Sequence, residues 1–570
     1  MLFYDVYPQG EFDADKWQVR GWRYKRCCHR RLLDAVQYLR PHPLLLLPVF
    51  YLLFYSLRCA WRQFPSSIMF SSIQLTVAAI LGASQLSAAA PFTQDSTSYQ
   101  TISWGSCDTK FPSNHFPSNL TCGTIRVPLD WNHPEKSEQI SLGLVRLAAS
   151  DKANRIGPLF INPGGPGGSA TSIVTDIVEL PNIVDPEILE RFDLIGLDPR
   201  GVGVSTPLQC DPATYNKRVK FFPKTQDEFD ELVQYNKDFA ASCIAKSGSL
   251  IHYLDTISAA KDHEAVRLAL GGEKASFLGL SYGTQLFSQY AALYPHSFRA
   301  IVLDGNVQHS QAEVSNLLAE SMTFEATLKQ FFAWCDGSDE CALRGKDVEA
   351  VFTALVDQAA ATPIPAPGCD GSSCRTDVTD EDILLVTQES LSLESAWPGL
   401  AEGLLEASTG NATILSQSNQ IAVGDAYADS GLYAGTGIAC QDWTHASTSL
   451  YDVVQKQIIG AAFAPFTRGF TQTYRIQTGC IGWPAAVTNP PAPIKYTGNV
   501  PLLLVNSNYD PETSYVWAVG LEAEIGAESV LLTRNGSGHT SYELLGEAAA
   551  IENKYLLDLE LPAKGTVVST

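Results

Sequence analysis

Ala275-Ser276-Phe277-Leu278-Gly279-Leu280-Ser281-Tyr282-Gly283-Thr284 is the stretch on which the reading of the fold turns. Its apolar run has the character of a buried strand and stops abruptly at Gly279, while Gln285-Leu286-Phe287-Ser288-Gln289-Tyr290-Ala291-Ala292-Leu293 reads as a helix. Between them a serine stands midway between two glycines. A strand that passes directly into a helix holds the residue at the corner in a strained backbone conformation. Glycines two positions to either side let strand and helix approach it closely. The pattern is that of a nucleophile elbow, which would present Ser281 Oγ above the end of a sheet.

Outward from this corner, strands and helices alternate. Pro158-Leu159-Phe160-Ile161 and Phe192-Asp193-Leu194-Ile195-Gly196-Leu197-Asp198 read as buried strands before it, residues 224–272 as helices leading to it, and Ser297 to Asp304 as the strand after it. Such alternation predicts a parallel sheet with right-handed crossovers. Thr124 to Leu129 and Ile140 to Val145, joined through Asn132-His133-Pro134, predict an antiparallel edge. From about 310 to 490 the pattern turns helical and loop-rich, as in a lid inserted over a site. Strand character returns at Val500 to Val505 and again at Ser529 to Leu532.

The chemistry-bearing residues fall at the ends of these strands. Asn162-Pro163-Gly164-Gly165-Pro166-Gly167-Gly168-Ser169 leaves backbone bare just after a strand, as an oxyanion hole requires. Pro163 and Pro166 have no N–H, so Gly165 is the donor candidate there, with the amide of Tyr282 as the second. Asp510 and His539 each follow a late strand, and the order Ser, Asp, His is that of the α/β-hydrolases. Glu512 is a rival for the acid. Asp198 and Arg200, at another strand end, read as structural charges kept by pairing. His252, His263, His296, His309 and His445 read as packing or surface residues.

Of 570 residues, 45% are hydrophobic and 18% charged, values of a globular chain, and the net charge is −22. Residues 1–68 hold ten Lys/Arg against five Asp/Glu, a balance of +5 that leaves −27 for the rest. A body so acidic repels phosphate backbones and argues against nucleic acid as a partner. Residues 1–68 read as a basic and apolar upstream extension of the reading frame, expected to be absent from the natural product, and Met69 to Ala90 as a secretory signal with small residues before its cleavage site. Export is the expected fate, with anchoring through the apolar run 44–57 as the alternative. Ten cysteines follow Ala90 at spacings unlike those of metal sites. Sequential pairing is expected: Cys107 with Cys122, Cys210 with Cys243, Cys335 with Cys341, Cys369 with Cys374, Cys440 with Cys480. Sequons at Asn119, Asn411 and Asn535 accord with export.

Taken together, the run Cys122 to Leu147, the loop Asn162 to Gly168, the turn Asp198-Pro199-Arg200-Gly201, the elbow, Asp510 and Gly538-His539-Thr540 resemble the secreted tripeptidyl-aminopeptidase-like branch of the proline-iminopeptidase type serine peptidases. The resemblance spans roughly residues 100–560. It implies the α/β-hydrolase fold, with core residues 91–310 and 491–570 flanking a mainly helical lid at 311–490. It also implies removal of short pieces from free amino termini, with Ser281 as nucleophile, His539 as base, Asp510 as acid and no cofactor. Lid carboxylates hold the substrate's ammonium group in such enzymes, and Glu389, Glu394, Glu402 and Asp442 are the candidates. An esterase or lipase on the same fold is the alternative, since fold does not dictate substrate. A catalytically dead binding module would be expected to lack a triad position, and none is missing.

Overall fold

Ten strands form one sheet, and its order follows from the alternation just described. In the computed structural model, which describes residues 101–107, 117–372, 374–416 and 426–569, they are β1 (Ser103–Gly105), β2 (Leu120–Pro128), β3 (Gln139–Leu147), β4 (Gly157–Asn162), β5 (Phe192–Leu197), β6 (Ala275–Leu280), β7 (Phe298–Asp304), β10 (Leu502–Tyr509), β11 (Ser529–Ser537) and β12 (Val567–Val568); β8 (Ile364–Pro365) and β9 (Asp377–Val378) pair separately. The spatial order is β1-β2-β3-β5-β4-β6-β7-β10-β11-β12. β1, β2 and β3 join antiparallel and lead antiparallel into β5. All later neighbours pair in parallel. The readings of residues 1–100 lie outside the described residues.

The central strands are apolar throughout because both of their faces are covered. Phe160, Ile195, Phe277, Ile301 and Leu504 point into one core. Their sequence neighbours Leu159, Leu194, Leu278, Val302 and Leu503 point into the other. This two-residue period assigns each face without ambiguity. The covering helices include α1 (Ala170–Glu179), α2 (Gln226–Ser247), α3 (Thr256–Ala269) and α4 (Tyr282–Leu293). Between β7 and β10 lie α5 (Glu313–Gly337), α6 (Val348–Ala361), α7 (Asp380–Leu391), α8 (Trp397–Ala407), α9 (Ala426–Asp442), α10 (Leu450–Phe463) and α11 (Gln472–Gly479). Phe324, Phe331, Phe352, Leu384 and Trp397 give these helices a core of their own. After β10 come α12 (Tyr515–Ile525) and, last, α13 (Glu547–Asp558).

The five cysteine pairs form as expected. Cys440 and Cys480, 40 residues apart, join α9 to the end of α11. Closing a loop of that length restricts the unfolded chain by about 4 kcal/mol. Two features differ from the sequence reading. β10 and β11 run on through the polar residues Asn506 to Tyr509 and Thr533 to Ser537, since their parallel pairing continues to Tyr509 opposite Ser537 across a bulge. The outermost strands β1 and β12 are two or three residues long, too short to show a period.

Asp198 and Arg200 are fully buried, but they do not pair with each other. Arg200 makes a bidentate ion pair with Asp262, both nitrogens at 2.7 Å. Asp198 accepts from the hydroxyls of Ser169 and Thr171 and from the amides of Thr171 and Val204. It thereby ties the start of α1, and with it the glycine-rich loop, to the end of β5.

Candidate active site

Ser281 sits at the corner between β6 and α4 with φ 56° and ψ −126°, a region that residues with side chains rarely adopt. Its amide donates to the carbonyl of Asp304 at 2.8 Å, and the hydroxyl of Thr284 donates to its carbonyl at 2.6 Å. The flanking glycines are required by space. A methyl group on Gly279 would lie 2.5 Å from the Gly283 carbonyl oxygen, and one on Gly283 would lie 2.7 Å from that of Asn162. Strand, helix and glycine-rich loop therefore meet at backbone contact around the serine.

Asp510 follows β10 and is 1% exposed. Its two carboxylate oxygens lie 3.0 and 2.8 Å from His539 Nδ1. The amides of Glu512 and Thr513 donate to Oδ1 and the Thr513 hydroxyl donates to Oδ2. The same hydroxyl lies 3.1 Å from Nδ1. Thr323 of α5 donates to the Asp510 carbonyl at 2.7 Å, linking the acid loop to the inserted helices. A buried aspartate on Nδ1 orients an imidazole and leaves Nε2 for proton transfer. Among the described residues, however, no hydrogen bond joins Ser281 Oγ to His539. Nε2 instead stands 3.6 Å from Glu512 Oε2. The burial of His539 disfavours its charged form, but Asp510 and Glu512 together outweigh it and raise its pKa to about 10.

A cleft opens beside Ser281, lined by Gly165, Tyr282, Glu313, Glu320, Glu512 and Thr513, with Trp443, Trp517, Val307 and Ile476 as apolar walls. Three carboxylates thus face it. Glu313 is neutralised by Lys456 at 2.5 Å. Glu320 is buried and accepts from Gln388 Nε2 at 2.7 Å and the Thr473 amide at 2.8 Å, with no cationic partner among the described residues. Burial pushes its pKa up to about 7.

The acidic residues singled out from sequence to hold the substrate's ammonium group do not line this cleft. Glu389, Glu394 and Glu402 are exposed on the inserted helices. Asp442 is buried behind the elbow, accepting from the Thr256 amide, Gln285 Nε2 and Asn489 Nδ2, each at 3.0 Å, and from the Thr256 hydroxyl. Thr256 in turn meets the Tyr282 hydroxyl at 2.5 Å, so Asp442 braces α4 from below. Glu320 left a trace that was readable: it interrupts the buried stripe Leu317, Phe324, Leu328, Phe331 of α5, where a carboxylate is costly unless something binds it.

The two amides proposed from sequence to bind an oxyanion both border the cleft. Tyr282 opens α4, where first-turn amides lack helical acceptors. The loop carrying Gly165 is shaped by its neighbours. The Gly164 amide donates to Asn162 Oδ1 at 3.0 Å, and the Gly168 amide to the Gly164 carbonyl at 3.0 Å. Helix α9 crosses the loop at two glycines: a methyl group on Gly167 would lie 2.1 Å from the Gly431 carbonyl oxygen, and one on Gly435 2.4 Å from that of Pro166. Gly164, at φ 95°, is packed just as tightly, since a methyl group there would lie 2.7 Å from Ser281 Cβ and 2.9 Å from the Tyr282 nitrogen. Gly164→Ala is therefore expected to lower kcat by about 10²-fold or more, the effect of losing one oxyanion donor, while KM for the same substrate changes little. Steady-state kinetics on the purified variant would check this, and an unchanged kcat would refute the tight contact.

Residues 157–361 match the α/β-hydrolase fold family, and residues 464–568 match the family of TAP-like proteins. The chain belongs to the α/β-hydrolase family with a TAP-like carboxyl-terminal region, and it is a serine hydrolase. More particularly, it is similar to serine protease Hip1 of Mycobacterium tuberculosis, at 30% identity over 77% of this chain and 85% of that one. It is also similar to tripeptidyl aminopeptidase of Streptomyces lividans, at 27% identity over 77% and 81%, and to carboxylesterase B of Mycobacterium tuberculosis, at 29% over 77% and 84%.

Proposed function

We propose that this chain is an exported aminopeptidase that releases short peptides, tripeptides foremost, from free amino termini through an acyl-enzyme on Ser281. His539 takes the serine proton and returns it to the leaving amine, Asp510 holds the imidazole, and the amides of Tyr282 and Gly165 receive the oxyanion. The observation that carries the peptidase reading is the pair Glu320 and Glu512, two carboxylates without a lysine or arginine partner among the described residues, on the cleft that holds the serine. Glu320 is buried and Glu512 half-buried, and a substrate ammonium would supply a pairing charge to both. Glu320 and Glu512 thus replace Glu389, Glu394, Glu402 and Asp442 as ligands of the amine. Export is supported by the five disulfides, which persist in oxidising compartments. Among the described residues no helix is long and apolar enough to cross a membrane.

The test is hydrolysis of a tripeptide anilide with a free amine, its N-acetylated twin and a short-chain ester. Cleavage of the first at a rate far above the second is expected. Glu320→Gln should raise KM for the free-amine peptide by about 10–100-fold, the worth of a charge-assisted hydrogen bond, and leave ester hydrolysis within a few-fold. Because burial holds Glu320 near pKa 7, that KM should fall as pH rises through about 7. The similarity to carboxylesterase B motivates the second reading, an esterase. Turnover of the ester with equal indifference to both peptides would establish it.

A further inference from the structure

An imidazole with a carboxylate near each nitrogen is drawn toward its doubly protonated form, because a carboxylate attracts the ring's positive charge and offers it acceptors. His539 is in that position: Asp510 lies 2.8 Å from Nδ1 and Glu512 lies 3.6 Å from Nε2. The position that Ser281 needs for proton transfer is the one Glu512 faces. Glu512 is held there by Ser392, whose hydroxyl donates to Oε1 at 2.5 Å and whose carbonyl accepts from the His539 amide at 2.8 Å. Glu512 also lines the cleft beside Ser281 and Glu320.

We propose that Glu512 couples recognition of the substrate's free amine to activation of the base: with the cleft empty it holds His539 as an imidazolium facing away from Ser281, and the arriving ammonium takes Glu512 over and frees Nε2 for the serine. The proposal rests on the aminopeptidase reading given above. Protons balance as follows. The ammonium stays protonated and pairs with Glu512, the imidazolium gives one proton to solvent, and the exposed Nε2 lone pair accepts the Ser281 hydroxyl hydrogen. An N-blocked substrate brings no charge, so the base stays protonated and discrimination appears in kcat as well as in KM.

The charged groups around His539 favour this resting state. Asp510 and Glu512 face the ring from the loop after β10, and the buried carboxylate of Asp304 stands at the end of β7, accepting from the amides of Ser541 and Tyr542. Arg534 of β11 is a permanent cation near these groups, acting on Asp304 and Asp510. It donates to the carbonyls of Ser537 and Gly538 and to the Ser541 hydroxyl, away from the ring. Glu320, from α5, acts on Glu512 from across the cleft. Removing the charge of Glu512 therefore lowers the affinity of His539 for its proton, and a substrate cation beside Glu512 does the same.

The decisive measurement is the pH dependence of kcat/KM for the amine-free ester, in the wild-type enzyme and in Glu512→Gln. The acid limb of the wild type should lie well above neutral, and in Glu512→Gln it should move down by about one unit or more, the shift expected for losing one charge at this distance. Ester turnover at pH 7 then rises about tenfold or more, the N-acetyl peptide gains likewise, and the free-amine peptide loses its advantage. Glu512→Asp, which withdraws the carboxylate by one methylene, should move the limb in the same direction by less. A second readout is calorimetric titration of Ser281→Ala with the free-amine and acetylated peptides in buffers of different ionisation enthalpy: up to one proton released per site at pH 7 for the first, none for the second. An ester limb that stays put in both Glu512 variants would overturn the pairing of Glu512 with His539, and equal proton release by the two peptides would overturn the coupling. Should the enzyme cleave only esters, the aminopeptidase reading and the coupling fall together, while the ester limb still decides whether Glu512 holds His539.

Discussion

Ser281→Ala is expected to reduce kcat by about 10⁴–10⁶-fold on every substrate the enzyme accepts, with no comparable loss of stability. The two halves of this statement have separate physical grounds. The serine hydroxyl makes no hydrogen bond among the described residues, so its removal strands no partner. Alanine also meets the same backbone restriction at φ 56° that serine does. A melting curve of the variant should therefore overlie that of the wild type. His539→Ala should cost as much in kcat, and the double variant no more than either single one, because nucleophile and base act as a unit. Asp510 calls for a gentler change. Its carboxylate accepts from two amides and a hydroxyl as well as facing the imidazole, so Asp510→Ala would lower stability and activity together. Asp510→Asn retains the shape and offers an amide donor to Nδ1, which disfavours the tautomer that catalysis needs. Single-turnover kinetics beside thermal melts would separate these effects. Residual activity of Ser281→Ala within tenfold of wild type would remove Ser281 from its role.

What the sequence shows well is what local chemistry determines. The elbow is legible because a serine between two glycines at a strand-to-helix corner has few other uses, and the packing around Gly279 and Gly283 shows why. Central strands are legible as unbroken apolar runs, and the cysteine pairs as short spacings. The cleft's carboxylates are different. Glu320 is made significant by Gln388 and Thr473, residues 68 and 153 positions away, and by its distance from any cation; none of this is visible along α5 apart from its place in an apolar stripe. Asp442 misleads for the converse reason. A lone aspartate beside Trp443 reads as a ligand, whereas Thr256, Gln285 and Asn489 converge on it and exhaust its lone pairs. Glu512 reads as a rival to Asp510 for one nitrogen of the histidine. In three dimensions the two carboxylates divide the ring between them.

Thermal stability should be greatest on the acid side, near pH 5, and should fall by several degrees in Tm between there and pH 8. The reason is an accumulation of carboxyls whose burial outweighs the cations near them: Lys220 acts on Glu381, and Arg534 on Asp304 and Glu552. Burial raises Asp304 to about 6 and Glu320, Glu381 and Asp442 each to about 7. Glu552 is raised well above its ordinary value by burial and by the nearby charge of Asp304, and neither of its carboxylate oxygens has a hydrogen-bond partner among the described residues. Each group binds its proton more tightly folded than unfolded. Their contribution is therefore complete below the unfolded values near 4 and is lost as pH rises through the folded values of 6 to 7. With several such groups acting in the same direction, even partial relaxation leaves a sizeable slope. His539 acts in the same direction: raised to about 10, it stabilises most below its unfolded value near 6.5 and loses that contribution as pH climbs to 10. The net charge of −22 adds repulsion as the carboxyls ionise. Calorimetric melts from pH 4.5 to 9 would measure the slope, and Glu552→Gln supplies its internal control. The amide keeps the shape of the protonated acid and cannot ionise, so the variant should lose part of the slope and equal or exceed the wild type in Tm at pH 8. A Tm that rises from pH 5 to 8 would mean that these carboxyls are ionised and satisfied in the folded enzyme, and that Glu320 needs no substrate cation.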